Sequence, residues 1–196
     1  EALLVAWPRL VRWQREDGTL VPPGDFIPFA ERSGRIRELT RWMLERVIEL
    51  LAEPAFAGLS LAVNLSTQDL HDQHLDLTLH ALLQVAGVAP ERLTLELTES
   101  GLLEPGEDPV MLLQRLKDVG VKLALDDFGT GHSALAYLQR LPIDELKIDR
   151  SFVRDVHDDA RREALLGTIA QLGRNLGLQV TAEGVEREEE LLALRR

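Results

Sequence analysis

VKLALDDF, residues 121–128, decides how the rest of the chain is read. Its apolar residues run almost without interruption and then stop at two adjacent carboxylates, Asp126 and Asp127. A strand covered on both faces reads this way, whereas a half-exposed strand alternates. The same form returns in LSLAVNLS (59–66), RLTLELTES (92–100), DELKIDR (144–150) and LQVTAEGV (178–185). Most of these runs are separated by stretches with apolar residues at helical spacing: FIPFAERSGRIRELTRWMLERVIELL, DLTLHALLQVAGV, DPVMLLQRLKDVG and RREALLGTIAQLGRNLGL. Several close on Gly, a common helix terminator. Strand and helix in alternation predict an α/β protein with a parallel sheet covered by helices. LLVAW (3–7) and LVRW (10–13), interrupted by Pro8, are expected to form one more strand. The total is about six strands, fewer than an eight-stranded barrel needs, so a doubly wound open sheet competes with a barrel.

At 196 residues the chain is expected to form one domain, 1–196, with a sizeable core. Hydrophobic residues make up 45% and charged ones 28%, a globular balance. The 33 acidic against 22 basic residues leave −11, which argues against a surface that tracks a nucleic-acid polymer. A small anionic ligand held by local cations or metal stays open. Cysteine is absent, so there is no disulfide framework, zinc–thiolate site or thiol nucleophile, in keeping with a cytoplasmic domain. No apolar run reaches the roughly 18–20 residues needed to span a bilayer. No signal-peptide pattern opens the chain. Its abrupt apolar start suggests a part excised from a longer protein, for which membrane attachment through another segment stays open.

The polar residues gather where the apolar runs end. Asn64 follows LAV, Glu96 and Glu99 end LTLELTE, Asp126 and Asp127 end KLALDD, Lys147 and Asp149 lie in LKID, and Glu183 and Glu186 follow VTA. In a β/α barrel these strand ends converge on one mouth, where active sites are built. Taken singly, each has a plain structural explanation. Asp127 suits a helix cap, Glu186 a helix start, Lys147 a paired core lysine and Asn64 a turn. Taken together, one amide, several carboxylates and one lysine need a cation among them, because buried carboxylates repel. All-oxygen ligands suit Mg²⁺ or Mn²⁺ rather than zinc. Adjacent carboxylates such as Asp126 and Asp127 suit two ions, the arrangement used for in-line phosphoester chemistry.

From RWQREDGTLVPPGDFIPFAERSG through VNLS, LELTES, ALDDFGTGHSAL, LPIDELKIDRSFV and VTAEGVE, the chain resembles the EAL-domain family, bacterial signalling phosphodiesterases that linearise cyclic di-GMP. The resemblance implies a TIM-like (β/α) barrel, incomplete here at both ends, with its site at the mouth. It implies that Asn64, Glu96, Asp126, Asp127 and Glu183 match metal ligands for Mg²⁺ or Mn²⁺. Lys147 matches the residue that orients or deprotonates the attacking water, and Asp149 and Glu186 match further polar residues of the mouth. Glu99 resembles the carboxylate that holds the DDFGTG loop, which in the family ties metal binding to dimerisation. Arg12 matches the arginine that contacts a phosphate of cyclic di-GMP, a contact suited to a guanidinium, and Leu10 matches the leucine that packs beside the ligand.

The family signature reads E-A-L-L-R-W. Counting back from Phe26 places its Arg–Trp pair on Arg12 and Trp13, so the signature glutamate falls on Pro8 and the triplet becomes Pro8-Arg9-Leu10. The visible EAL at Glu1 is a decoy, roughly 20 Å or more from the mouth if the run is extended. Proline brings no carboxylate, removes a backbone donor and sits poorly in an inner strand. In the DDFGTG loop His132 replaces the usual tyrosine, a surface substitution. The resemblance therefore implies a domain that binds cyclic di-GMP with weak or absent hydrolysis. The alternatives are an active metal-dependent phosphodiesterase yielding the linear dinucleotide, and a nucleotide-independent protein-interaction scaffold. A homodimer through the DDFGTG loop and a neighbouring diguanylate-cyclase-like or sensory domain in the parent chain are expected by family analogy.

Overall fold

The computed structural model describes residues 13–15, 17–102, 108–129 and 138–195. Expectations placed on Glu1, Pro8, Arg9, Leu10, Arg12, His132 and the LLVAW strand lie outside those residues.

Five of the predicted strands are present: β3 (Leu61–Leu65), β4 (Leu93–Thr98), β5 (Lys122–Phe128), β6 (Glu145–Ile148) and β7 (Gln179–Ala182). They follow one another in sequence order within one sheet. β5 runs parallel to β6, and β6 to β7, with Lys147 opposite Thr181 and Ile148 opposite Ala182. Trp13, the described end of LVRW, departs from expectation. It opens a separate two-stranded hairpin, β1 (Trp13–Gln14) antiparallel to β2 (Leu20–Val21). The physical reason is the intervening turn, where Asp17 accepts the Thr19 N–H at 2.9 Å and Gly18 takes φ 83°. The long amphipathic stretch also divides, into α1 (Pro23–Arg32) and α2 (Ile36–Ala52), because Gly34 turns left-handed at φ 72°.

Among the described residues the chain forms two compact units, 13–95 with 108–122, and 96–102 with 123–195. In the first, α2 turns Ile36, Leu44, Val47, Ile48 and Leu51 inward at helical spacing. α3 (Leu75–Ala86) buries Leu75, Leu79 and Leu83, and α5 (Val110–Val119) buries Leu112, Leu113 and Leu116. Arg92 closes the end of α2: its guanidinium donates to the carbonyls of Leu51 and Leu59 at 2.9 Å and of Phe56 at 2.6 Å.

The second unit holds α4 (Glu99–Leu102), α6 (Arg150–Val153), α7 (Ala160–Asn175) and α8 (Glu188–Leu194). Leu123, Ala124 and Leu125 on β5 and Leu146 and Ile148 on β6 are buried, as continuous apolar runs predict. Asp144 ties the strand starts together: its carboxylate accepts the Leu123 N–H at 2.8 Å, and its own N–H donates to the Leu123 carbonyl at 2.8 Å. Gly173 lets α7 approach β7, since a side chain there would run into Val180. Among the described residues no helix is long and apolar enough to cross a membrane.

Candidate functional site

Three strand ends of the second unit deliver carboxylates to one ammonium. Lys147 Nζ, on β6, lies 2.6 Å from Glu183 Oε1 just past β7, 2.8 Å from Glu96 Oε1 on β4, and 3.2 Å from Asp126 Oδ2 on β5. Lys147, Glu96 and Asp126 are largely buried, and Glu183 is the most open member. Parallel strands make this convergence possible, because residues near their C-terminal ends meet at one edge.

The register between β5 and β6 shifts between Leu125 and Phe128, which span the two aspartates. Such an irregularity re-aims side chains. Asp127 takes φ 55° there, and its N–H donates to Asp126 Oδ1 at 2.9 Å. Glu99 is buried at the head of α4, where Oε2 accepts the Gly129 N–H at 2.9 Å. Gly129 needs to be glycine: φ is 98°, and an added Cβ would sit 2.7 Å from the Phe152 ring.

The charges respond to this packing. Burial works against the Lys147 ammonium, but hydrogen bonds to Glu183 and Glu96 and the nearby Asp126 hold its pKa above the ordinary 10.5. Glu96 is pushed above 4.5, chiefly by burial, against the pull of Lys147. Asp127 is pushed above 3.8 by burial and then by the charges of Asp126, Asp149 and Glu183, so these groups share one field.

Asn64 is exposed on β3, in the first unit. Asp149 caps α6, accepting the Ser151 N–H at 2.9 Å, and this hydrogen bond lowers its pKa. The Glu186 side chain is exposed, and its backbone N–H is bound by the carboxylate of Glu190 at 3.0 Å. Glu190 was not singled out from sequence. Its signal was there, an acidic residue three positions after Arg187, the spacing of a capping box. Arg12 and Leu10 lie outside the described residues.

The donor set suits a hard divalent cation in its chemistry, being carboxylate oxygen throughout and short of positive charge. Among the described residues no three acidic, His or Cys groups stand at metal-ligand spacing. Glu96, Asp126 and Glu183 close instead on Lys147.

Parallel strands under helices, with carboxylates and a lysine drawn together at the strand ends, define an α/β domain with an oxygen-rich, cation-centred site. The chain belongs to the EAL domain family, whose model matches residues 3–196. Among curated relatives, an uncharacterized signaling protein of Caulobacter vibrioides is 45% identical over 186 residues, covering 95% of this chain and 23% of that protein. The cyclic di-GMP phosphodiesterase PdeR of Escherichia coli is 42% identical over 183 residues, covering 92% of this chain and 28% of that protein. The PaMucR phosphodiesterase, solved as a c-di-GMP complex, superposes with TM-score 0.86 at 36% identity, covering 95% of this chain and 77% of that one. The FimX EAL domain of Pseudomonas aeruginosa bound to c-di-GMP does so at 0.86 and 29%, covering 94% and 75%. This chain thus spans less than a third of the length of these curated relatives. The fold is the TIM-like barrel type of EAL domains, which removes the open-sheet alternative.

Proposed function

We propose that this domain binds cyclic di-GMP and hydrolyses it weakly or not at all. The observation that carries the reading is the convergence of Glu96, Asp126 and Glu183 on Lys147, three carboxylates around one ammonium, in a chain with proline at position 8. Relatives named as cyclic di-GMP phosphodiesterases, and neighbours solved with c-di-GMP, support the ligand. Arg12 would supply a guanidinium for a ligand phosphate, and Leu10 an apolar side chain for the ligand. Glu96, Asp126, Asp127 and Glu183 would hold Mg²⁺ or Mn²⁺. Such an ion, when bound, acidifies water and polarises a phosphoryl oxygen. Lys147 keeps its proton and holds the three carboxylates in place, and Glu99 fixes the backbone after Asp126 and Asp127. Proline at position 8 withholds one anionic ligand, which weakens water activation more than it weakens phosphate recognition.

A working phosphodiesterase is the second reading, favoured by the completeness of the Lys147 cluster. Calorimetric titration with cyclic di-GMP and a hydrolysis assay with Mg²⁺ or Mn²⁺, on wild type and Pro8→Glu, separate the two. Saturable binding by both, with turnover raised by orders of magnitude in Pro8→Glu, is expected. No binding with or without divalent ions overturns the proposal, and fast wild-type turnover equal to that of Pro8→Glu establishes the second reading. The domain acts in the cytoplasm of a multidomain signalling protein, dimerising through the DDFGTG loop beside a diguanylate-cyclase-like or sensory domain. The short share of its relatives that it spans, and a relative named as a bifunctional diguanylate cyclase/phosphodiesterase, support the neighbouring domain.

A further inference from the structure

The segment after β7 carries Glu183, and it is anchored at both ends. Upstream, the Glu183 N–H donates to the Ile148 carbonyl at 3.0 Å, and Gly184 lies so close to Arg150 that an added Cβ would come within 2.5 Å of it. Downstream stands Glu190, 2% exposed, on the first turn of α8. Its Oε2 accepts the N–H groups of Glu186 at 3.0 Å and Arg187 at 3.1 Å. Its Oε1 accepts the Asp155 N–H at 3.1 Å. Asp155 turns left-handed at φ 56° between the buried Val153 and Val156, and its carboxylate takes the Arg187 guanidinium at 2.9 Å. A helix cap needs only the bond to Arg187. The bonds to Glu186 and Asp155 do something else: they fasten the Glu183–Glu186 segment to a buried turn.

We propose that Glu190 is a positioning residue that sets where Glu183 meets Lys147, by clamping the segment between Glu183 and Arg187 to the Asp155 turn. The inference rests on Glu183 belonging to the site proposed above. Outer partners of this kind change metal affinity by about 10–100-fold when lost.

The test compares wild type, Glu190→Leu, Glu190→Gln and the exposed control Glu188→Gln. Three quantities are read at one pH: the Glu183 carboxyl-carbon NMR resonance, amide exchange at Glu186 and Arg187, and Mn²⁺ affinity. Glu190→Leu is expected to speed both amides, move the Glu183 resonance and weaken Mn²⁺ by about tenfold. Glu190→Gln, which keeps one acceptor oxygen, recovers part of each change, and Glu188→Gln changes none. Faster amide exchange with an unmoved Glu183 resonance reduces Glu190 to a helix cap and overturns the proposal. If Glu190→Leu does not fold, an unmoved resonance in Glu190→Gln, despite faster amides, overturns it equally. A wild type that binds no Mn²⁺ sinks the metal part of the proposed function, while the Glu183 resonance still decides the role of Glu190.

Discussion

Arg92 and Lys147 are both cations ringed by three oxygens, yet they do opposite things. Around Arg92 the oxygens are the backbone carbonyls of Leu51, Phe56 and Leu59. A guanidinium among neutral acceptors finishes a helix end, where the macrodipole also favours it, and nothing there is left to attract a ligand. Around Lys147 the oxygens are the carboxylates of Glu96, Asp126 and Glu183. One ammonium against three carboxylates leaves a surplus of negative charge in a part-buried place, which a further cation relieves. Saturation with neutral acceptors makes a clamp, whereas excess anionic acceptors make a site.

The comparison breaks most visibly at Lys147. Lys147→Met leaves three carboxylates facing one another and is expected to cost about 3 kcal/mol at pH 7, within the range for removing one partner of a buried ion pair. Urea denaturation should show the loss shrinking on acidification, as the carboxylates protonate, and with added Mg²⁺. Arg92→Ala should cost about 2 kcal/mol, because three carbonyls lose a charged donor but water reaches some of them. That loss should be the same at pH 5 and pH 7 and indifferent to Mg²⁺. If both variants respond alike to acid and to Mg²⁺, the distinction between clamp and site is wrong.

Unequal legibility follows from the same contrast. The strands around Asn64, Glu96, Asp126, Lys147 and Glu183 were readable because burial of both faces demands apolar runs, and the residues that break such runs are conspicuous. The hairpin at Trp13 was not, since two residues per strand carry no period and only Asp17–Gly18 announces the turn. The break at Gly34 was hidden because α1 and α2 continue one apolar rhythm across it. Within the site, residue types were legible and partners were not. Nothing in LKID says that Lys147 reaches three other strand ends, and in REEE only the capping-box spacing from Arg187 points to Glu190 as the glutamate that turns inward. Asp149, expected at the mouth, also holds the start of α6.

Asp149 offers a smaller and cleaner break. Asp149→Ala removes the cap on Ser151 and should cost about 1 kcal/mol. Its folded pKa lies below the ordinary 3.8, chiefly through the Ser151 hydrogen bond. A depressed carboxyl contributes its stability above the unfolded value and loses it as pH falls through the folded one. The difference between variant and wild type should therefore stay constant from pH 7 to about pH 4.5 and fade only in stronger acid. A difference that fades near pH 6 would mean that the neighbouring carboxylates, and not the Ser151 hydrogen bond, dominate at Asp149.

Glu96 should show the smallest effect and the opposite sign. Burial raises its pKa above 4.5 even with Lys147 at 2.8 Å, so the folded state binds the proton more tightly than the unfolded chain does. Stability then falls as pH rises from the unfolded value through the folded one, because ionising Glu96 costs more in the protein than in water. Glu96→Gln removes that cost while keeping the shape. It should match wild type near pH 4 and become the more stable of the two at pH 7. Paired urea melts at the two pH values decide the point: a variant that is less stable than wild type at pH 7 means the pull of Lys147 outweighs burial. Removing the cation is therefore expected to harm the fold and removing this anion to help it slightly. That asymmetry is the result expected if the excess charge serves a ligand, and the loss in Glu96→Gln should then appear in Mn²⁺ affinity instead.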